Sequence, residues 1–116
     1  MVRRFNRYDV TIASGQSLSA IQTLGNKELP SSLEIDTGWT PAVVSVRAGF
    51  SADSVKDFYK DGAEYTISGI GSDRVIALPL NDLIGLRNIQ FRSGTTGLPI
   101  TQSGVRSLTF VTIELD

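Results

Sequence analysis

Apolar and polar residues alternate with a period of two along much of this chain, which is the pattern of β-strands with one buried face. The clearest examples are segments 8–12, 43–50 and 63–67. Short runs of Gly, Pro, Asn, Asp and Ser separate the strand-like segments, and no segment carries a sustained 3.6-residue apolar repeat. The pattern predicts an all-β fold, an antiparallel β-sandwich of about eight strands that is jelly-roll-like in its strand count.

Four local signals refine this prediction. Segment 74–78 is nearly all apolar and predicts a strand that is buried on both faces. The Asp-Gly pair at 61–62 predicts a tight hairpin, since both positions tolerate positive φ. Segment 79–85 is the one place for a short helical turn, with Asn81 as its N-cap. In the last strand the apolar parity changes near 110–111, which a β-bulge would reconcile.

The chain has 116 residues, which suits one domain with a single modest core. We expect residues 1–7 to form an N-terminal arm and residues 8–116 to form a single β-sandwich domain. The net charge of −1 gives no bulk positive field, so we expect no nucleic-acid partner. No apolar run approaches the ~20 residues of a membrane span, and the N-terminus does not read as a signal peptide.

The chain contains no cysteine and no histidine. Disulfides, thiolate chemistry, the usual zinc ligands and every Ser-His or Cys-His nucleophile pair are therefore excluded. We expect no enzyme, no catalytic residue, no cofactor and no metal site. Asp53, Asp57, Asp61 and Glu64 would line one face only if they lay on a helix, where they could hold a hard cation. On strands and loops they would scatter, so a solvated acidic edge is favoured.

Two further motifs have a structural and a functional interpretation. Gly69-Ile70-Gly71 does not open a helix and has no following lysine, so a hairpin turn is favoured over a phosphate-binding loop. Trp39 lies between Gly38 and Pro41, where an exposed indole could stack on a sugar ring or anchor a partner. We favour the alternative that Trp39 caps one open end of the sandwich, and keep it as a possible ligand-stacking residue.

The N-terminal segment carries three arginines and an aromatic residue, Arg3, Arg4, Phe5 and Arg7. One interpretation is a frayed basic terminus. The other is an arm that becomes ordered across a neighbouring subunit, because the planar guanidinium pairs with carboxylates and stacks on aromatic rings. The two interpretations are equally supported by the sequence. The four residues are therefore candidates for partner binding.

A long uncharged loop is predicted between the last two strands, from Ser93 to Gly104. Structureless connections longer than about 12 residues are usually functional or disordered. Leu98, Pro99 and Ile100 give this loop an apolar tip, and Gln102 follows them. Either the loop folds back over the end of the sandwich, or it packs on another chain. We favour contact with another chain, because apolar residues rimmed by Ser, Thr and Gln are typical of interfaces.

The C-terminal segment, LIGLRNIQFRSGTTGLPITQSGVRSLTFVTIEL, resembles small structural proteins of tailed-bacteriophage virions. The opening YDVTIASGQSLSAIQTLG is similar to their first strand pair, and the middle of the chain agrees only in rhythm. One departure is Ile100, where the pattern has valine. The matching positions in the C-terminal segment are Gly85, Arg87, Ile89, Phe91, Arg92, Ser93, Gly94, Thr95, Pro99, Gln102 and Arg106.

This resemblance implies a β-sandwich subunit of a virion, of the capsid decoration or cement type. Such a subunit would stabilise the head by bridging capsomers, after assembly in the host cytoplasm. The implied partners are the major capsid protein or other virion subunits, and the implied state is a homo-oligomer such as a trimer. Two alternatives stay open: a tail or neck component, and a carbohydrate- or receptor-binding module that uses Trp39 with Tyr59 or Tyr65.

Overall fold

The computed structural model describes residues 2–115, and gives only the backbone of residues 2, 3, 80 and 115. The fold is all-β and antiparallel, as the sequence predicts. None of its helices is long and apolar enough to cross a bilayer, within the residues described. The elements are β1 Val2–Ile12, β2 Gln22–Thr23, β3 Glu28–Ile35, β4 Val44–Gly49, β5 Lys56–Asp57, β6 Tyr59–Lys60, β7 Ala63–Glu64, β8 Thr66–Ile67, β9 Arg74–Ala77, the 3₁₀ turn η1 Leu80–Asp82, β10 Asn88–Ser93 and β11 Arg106–Leu115.

The long strands form two sheets with the apolar core between them. Sheet A has the strand order β1-β11-β3-β9, and sheet B has the order β2-β10-β4-β5, with β8 also paired to β4. The strands β6 and β7 form a separate hairpin. The strand count exceeds the expected one because the chain from 56 to 67 breaks into four two-residue strands instead of two longer ones.

The core is built from the inward positions of the alternating segments. Val10 and Ile12 of β1 are buried, as are Val44 and Val46 of β4. Phe91 of β10 meets Phe110 of β11 edge to face, with ring centroids 5.5 Å apart and an interplanar angle of 72°. Full burial of a large apolar side chain stabilises a fold by roughly 1.5–3 kcal/mol, so these rows hold the two sheets together.

The first strand begins at Val2, whereas the sequence placed its start at Tyr8 and predicted an arm over residues 1–7. The reason lies in β11, which runs to Leu115 and pairs with β1 from Val2 to Ile12, with one register shift between Val2 and Arg4. Phe5 pairs with Ile113 in that register. Residues 2–7 thus continue the sheet without a boundary at residue 8, while Met1 lies outside the described residues.

The prediction that segment 74–78 is buried on both faces is wrong. Its strand β9 is the edge of sheet A, and Val75 is 71% exposed. A run of apolar residues cannot distinguish a central strand from an edge strand that covers the core with only one face. In this segment Leu78 is buried and Ile76 packs against the core.

The irregularity predicted near residues 110–111 is present, but the extra residue is on the neighbouring strand. Val111 pairs with Ser32, and Thr112 pairs with Pro30, so Ser31 of β3 is the unpaired residue. The inward parity of β11 therefore continues unbroken from Phe110 to Thr112, which are both buried. A polar residue thus takes the inward position that the apolar pattern left unexplained.

The Asp-Gly hairpin is confirmed between β6 and β7, where Asp61 and Gly62 have φ values of 54° and 81°. The short helical turn is confirmed as η1, but Asn81 lies inside it and is not its N-cap. Phe50 follows the end of β4 and is exposed, although its parity predicted an inward position.

Candidate protein-binding surface

The long loop after β10 begins with a closed turn over residues 94–99. Gly94 and Pro99 form an antiparallel bridge. Between them, the backbone N–H of Thr95 donates to the carbonyl of Leu98 at 3.1 Å, and the N–H of Leu98 donates back to the carbonyl of Thr95 at 3.2 Å. The turn therefore has the internal hydrogen bonds of a tight hairpin end, and is not a structureless connection.

Gly94 is the residue that permits this turn. Its φ is +90°, in the region that favours glycine, and an added Cβ would lie 2.4 Å from the carbonyl oxygen of Leu98. The N–H of Gly94 donates to the carbonyl of Val43 at 2.7 Å, and its own carbonyl accepts from the hydroxyl of Ser45 at 2.8 Å. These bonds fix the base of the turn to the start of β4.

A buried ionic cluster lies beneath the same turn. Arg92 of β10 donates to Asp57 at 2.7 Å and to Glu64 at 3.0 Å. The carboxylate of Glu64 also accepts the backbone N–H of Thr96 at 3.0 Å. The hydrogen bond from Arg92 lowers the pKa of Asp57 below its ordinary value, although burial opposes this shift. The cluster therefore connects the rigid sheet to the tip of the turn through one carboxylate.

The favoured interpretation of a solvated acidic edge is wrong for Asp57 and Glu64, which are half-buried and paired with Arg92. Asp57 is shared between Arg92 and Arg47, whose Nε lies 3.4 Å from the carboxylate. Asp61 lies at the β6–β7 hairpin turn, away from that pairing. Within residues 2–115, no group of three or more acidic or other ligand-type side chains is placed to share an ion.

Gln102 is an internal residue of the loop, not a contact residue. Its side chain is 1% exposed, and its amide nitrogen donates to the carbonyl of Thr40 at 3.1 Å and the hydroxyl of Ser93 at 2.8 Å. Its amide oxygen accepts the N–H of Thr40 at 2.7 Å. The partner-binding role expected for Gln102 is therefore contradicted, because every polar atom of its amide is used within this chain.

The exposed residues of the loop include an apolar pair at the end of the turn. Leu98 is 68% exposed, Pro99 is exposed and Ile100 is half-buried. We call the pair Leu98 and Pro99 the loop tip. The turn that carries the loop tip is hydrogen-bonded at Gly94, between Thr95 and Leu98, and at Thr96. The loop tip therefore has the properties of a preformed contact surface.

Trp39 is in the core, as the capping interpretation requires. The side chain is 5% exposed, and the indole Nε1 donates to the carbonyl of Ala42 at 3.2 Å. The stacking role was proposed for an exposed indole, and the burial of Trp39 contradicts that premise. The Gly69–Gly71 segment forms the turn between β8 and β9, with a φ of +81° at Gly69.

The other candidate residues lie on β1. Phe5 is 70% exposed, and Arg7 is exposed with its Nε 3.6 Å from Asp9. Arg4 donates from Nε to Glu114 of β11 at 3.0 Å, and this hydrogen bond raises the pKa of Arg4. The side chain of Arg3 lies outside the described residues. These residues lie on β1, the terminal strand of sheet A, whereas the loop tip follows β10 of sheet B. The two are therefore separate surfaces.

A second buried polar cluster was not anticipated from the sequence. The carboxylate of Glu28 accepts hydrogen bonds from the hydroxyl groups of Tyr8 and Thr112 at 2.7 Å each, and from the amide of Asn6 at 3.0 Å. The N–H of Gly25 also donates to it. No local pattern shows this cluster, because its donors come from strands that are distant in sequence. The ionic cluster had one visible signal, an arginine directly after Phe91 at the end of a strand-like segment.

No protein-family model matches the chain, and no curated protein matches it in sequence. A solved structure, the crystal structure of the SPBc2 prophage-derived protein YomS, has a similar fold, with a TM-score of 0.58. The similarity covers 98% of this chain and 98% of that one, at 12% sequence identity. At that identity the comparison shows a shared fold over essentially the whole domain.

Proposed function

We propose that this protein is a structural subunit of a tailed-phage particle, and specifically a decoration subunit that binds the major capsid protein across capsomer boundaries. The observation that carries the proposal is the loop tip, an apolar contact surface held rigid on a β-sandwich. In this role the protein acts by binding alone. Each bound copy stabilises the assembled shell over its separated parts by mass action.

The rigidity of the loop tip supports a binding role. A flexible loop loses conformational freedom when it binds, whereas a loop that is already fixed avoids most of that cost. Here the turn is fixed by Gly94 at its base and by Glu64 at Thr96. Leu98 is left exposed at the end of this scaffold, where it can enter an apolar pocket of a neighbouring subunit.

The fold comparison supports a phage origin for this protein. The similar structure is described as a prophage-derived protein, and it matches over nearly its full length. The sequence resemblance to virion proteins is strongest at Arg92-Ser93-Gly94-Thr95, which is the segment that builds the turn. A pattern that maintains this turn would be selected if the turn carries the contact.

The first experiment locates the protein in the particle. Purified virions of the phage that encodes it should contain the chain in a fixed ratio to the major capsid protein, and gold labelling of an added tag should decorate the head. Labelling of the tail or neck would replace the decoration role by the tail or neck alternative. Absence from intact virions would contradict the proposal in both forms.

The second experiment tests the loop tip. Leu98→Ser should weaken binding to heads that lack the protein by roughly 30-fold per site, since burying a leucine is worth about 2 kcal/mol. Val105→Ser is the matched control, because Val105 is 60% exposed and lies outside the turn. Equal binding by the two variants, with both folded by circular dichroism, would remove the loop tip from the interface.

A further inference from the structure

Strand β1 is a long edge strand that is open on one side. It has 11 residues and is the terminal strand of sheet A. On its outer side, the described part of the chain covers only the C-terminal end, where Ile12 bridges to Ser19 and the N–H of Ala20 donates to the carbonyl of Thr11 at 3.2 Å. Soluble proteins usually shorten, bend or cover such an edge, because it offers a ready template for another strand.

The bond to Thr11 shows which backbone groups face outward. Peptide groups of successive residues in a strand point to opposite sides, so residues of the same parity as Thr11 direct their N–H and C=O away from β11. These residues are Phe5, Arg7 and Asp9. Between residues 4 and 10 the backbone groups on that side have no hydrogen-bonding partner among those described.

The opposite edge of sheet A shows the usual protection. Strand β9 has 4 residues and begins directly after a turn, and Arg74 at its start donates to the carbonyl of Gly69 at 3.2 Å. By contrast, β1 contains no proline, and its pairing with β11 is regular from Arg4 to Ile12. The register of β1 shifts between Val2 and Arg4, but from Arg4 onwards only charged side chains could protect the edge, and their signs argue against that role.

Arg7 and Asp9 carry opposite charges at positions two residues apart on the same face, beside Phe5. Like charges would repel a second copy of the strand, whereas Arg7 and Asp9 offset each other within one copy. Phe5 and Arg7 are the self-complementary pair, because antiparallel pairing around Asn6 places each opposite the other. We infer that β1 pairs antiparallel with β1 of a second copy of this chain, around a two-fold axis at Asn6, and joins two A sheets into one.

The structure selects this register over its neighbours. An axis at Arg7 would place the two Arg7 side chains directly opposite each other, which is destabilising. An axis at Tyr8 would place Phe5 opposite Thr11, whose carbonyl is already occupied by Ala20. An axis at Asn6 pairs Phe5 with Arg7, and both lie where the described edge is open.

In the chosen register Phe5 lies opposite Arg7 of the second copy, which suits stacking of a guanidinium on an aromatic ring. The two Phe5–Arg7 pairs give about four backbone hydrogen bonds between the copies. Within each sheet Phe5 is next to Ile113, which is next to Leu29, so an apolar row continues from the new contact into both copies.

The test is the oligomeric state of the purified chain in sedimentation equilibrium, with no virion component present. We expect a dimer, which differs from the trimer suggested by the family resemblance. Arg7→Pro removes one outward N–H per copy without touching a bond to β11, and edge strands tolerate proline. It should weaken the dimer by about 30-fold, because two hydrogen bonds are lost. Arg7→Ala is the control, because it retains the N–H.

A charge pair placed across the axis tests the register independently. Phe5→Arg would place two arginines opposite each other and should weaken the dimer, and the double variant Phe5→Arg/Arg7→Glu should restore it. A monomer or a trimer of the unaltered chain would overturn the inference, and so would an Arg7→Pro variant that is folded and equally dimeric. If Arg7→Pro does not fold, failure of the double variant to restore the dimer lost in Phe5→Arg overturns the proposed register. These outcomes leave the loop tip and its capsid role untouched.

Discussion

The two buried polar clusters of this protein are satisfied in opposite ways. Glu28 is a buried carboxylate surrounded by neutral donors, whereas Arg92 is a buried cation surrounded by two carboxylates. Burial raises the pKa of Glu28, but the hydrogen bonds from Thr112, Tyr8, Gly25 and Asn6 outweigh it and leave the pKa below its ordinary value.

The difference decides what happens when one member is removed. If a neutral donor is lost from the Glu28 cluster, the carboxylate of Glu28 keeps its other donors. If Arg92 is lost from the ionic cluster, Glu64 keeps its charge at a partly buried site without its arginine, and Asp57 retains only Arg47. An uncompensated buried charge costs more than an unsatisfied neutral group.

The clusters also support different surfaces. Glu28 of β3 connects β1 to β11 through Tyr8 and Thr112, and so holds the strand whose outer edge is open. Arg92 holds Glu64, which accepts the N–H of Thr96 in the turn that carries the loop tip. Perturbing one cluster should therefore change one surface and leave the other in place.

The largest effect is expected for Arg92→Met. Removing the cation from a buried ion pair costs 3–5 kcal/mol, and the partial exposure of Asp57 places this case near roughly 3 kcal/mol. Urea unfolding measures the change. Amide hydrogen exchange at Thr96 should also become faster, because Glu64 is no longer held in place.

Arg74→Met is the control for the loss of an exposed arginine, and it should change the free energy of unfolding only slightly. Equal destabilisation by the two variants would show that the ionic cluster contributes nothing particular. Unchanged exchange at Thr96 in Arg92→Met would show that the cluster does not stabilise the turn.

Glu28→Gln should have an intermediate effect, of roughly 2 kcal/mol. The amide nitrogen replaces an acceptor with a donor and faces groups that are themselves donors, so at least one buried hydrogen bond is lost. Glu34→Gln on the same strand is the control, because Glu34 is exposed on the outer face. A loss in Glu28→Gln as large as that in Arg92→Met would contradict the distinction between the clusters.

The pH dependence of this variant sharpens the comparison. The pKa of Glu28 is lowered in the folded state, so its contribution to stability is complete above the ordinary value of 4.5 and is lost as pH falls below it. Glu28→Gln should therefore flatten the acid side of the stability profile. Asp57→Asn should flatten it at lower pH, because the ordinary value for Asp57 is 3.8 and its pKa is lowered too.

The sequence predicts the strands of this fold better than its clusters, for a physical reason. Period-two alternation is a local property, and it correctly places Val10 and Ile12 in the core. The pairing of Arg92 with Asp57 joins positions that are 35 residues apart, and depends on how the chain folds over sheet B. Local patterns cannot show which distant side chain covers a given position.

The same limit explains the candidates that the structure rejects. Gln102 occurs in an uncharged loop with apolar neighbours, and only the tertiary fold brings its amide to Thr40 and Ser93. The position of Trp39 between glycine and proline predicted a loop residue, but did not show that the ring would turn into the core. By contrast, exposure of Leu98 could be expected, because the short turn around it leaves no room for burial.

The smallest effect is expected for Tyr8→Phe, roughly 1 kcal/mol at neutral pH, because one neutral donor to Glu28 is lost. Burial and the hydrogen bond to Glu28 raise the pKa of Tyr8 to about 12. The neutral hydroxyl therefore stabilises the fold fully below pH 10, and this contribution is lost as pH rises towards 12. Tyr8→Phe should reduce the loss of stability over that range.

The exposed Tyr59 provides the control, since Tyr59→Phe removes a phenol hydroxyl that is not part of the Glu28 cluster. Burial and the hydrogen bond to Asp82 also raise the pKa of Tyr65 to about 12. The Tyr8→Phe variant should therefore still lose some stability at alkaline pH, because Tyr65 is unchanged in it. The alkaline profile therefore tests the assignment of Tyr8 as a neutral donor to Glu28. If the alkaline profile of Tyr8→Phe is identical to that of the unaltered chain, Tyr8 does not donate to Glu28 in solution. The Glu28 cluster would then depend on its other donors, among them Thr112 and Asn6.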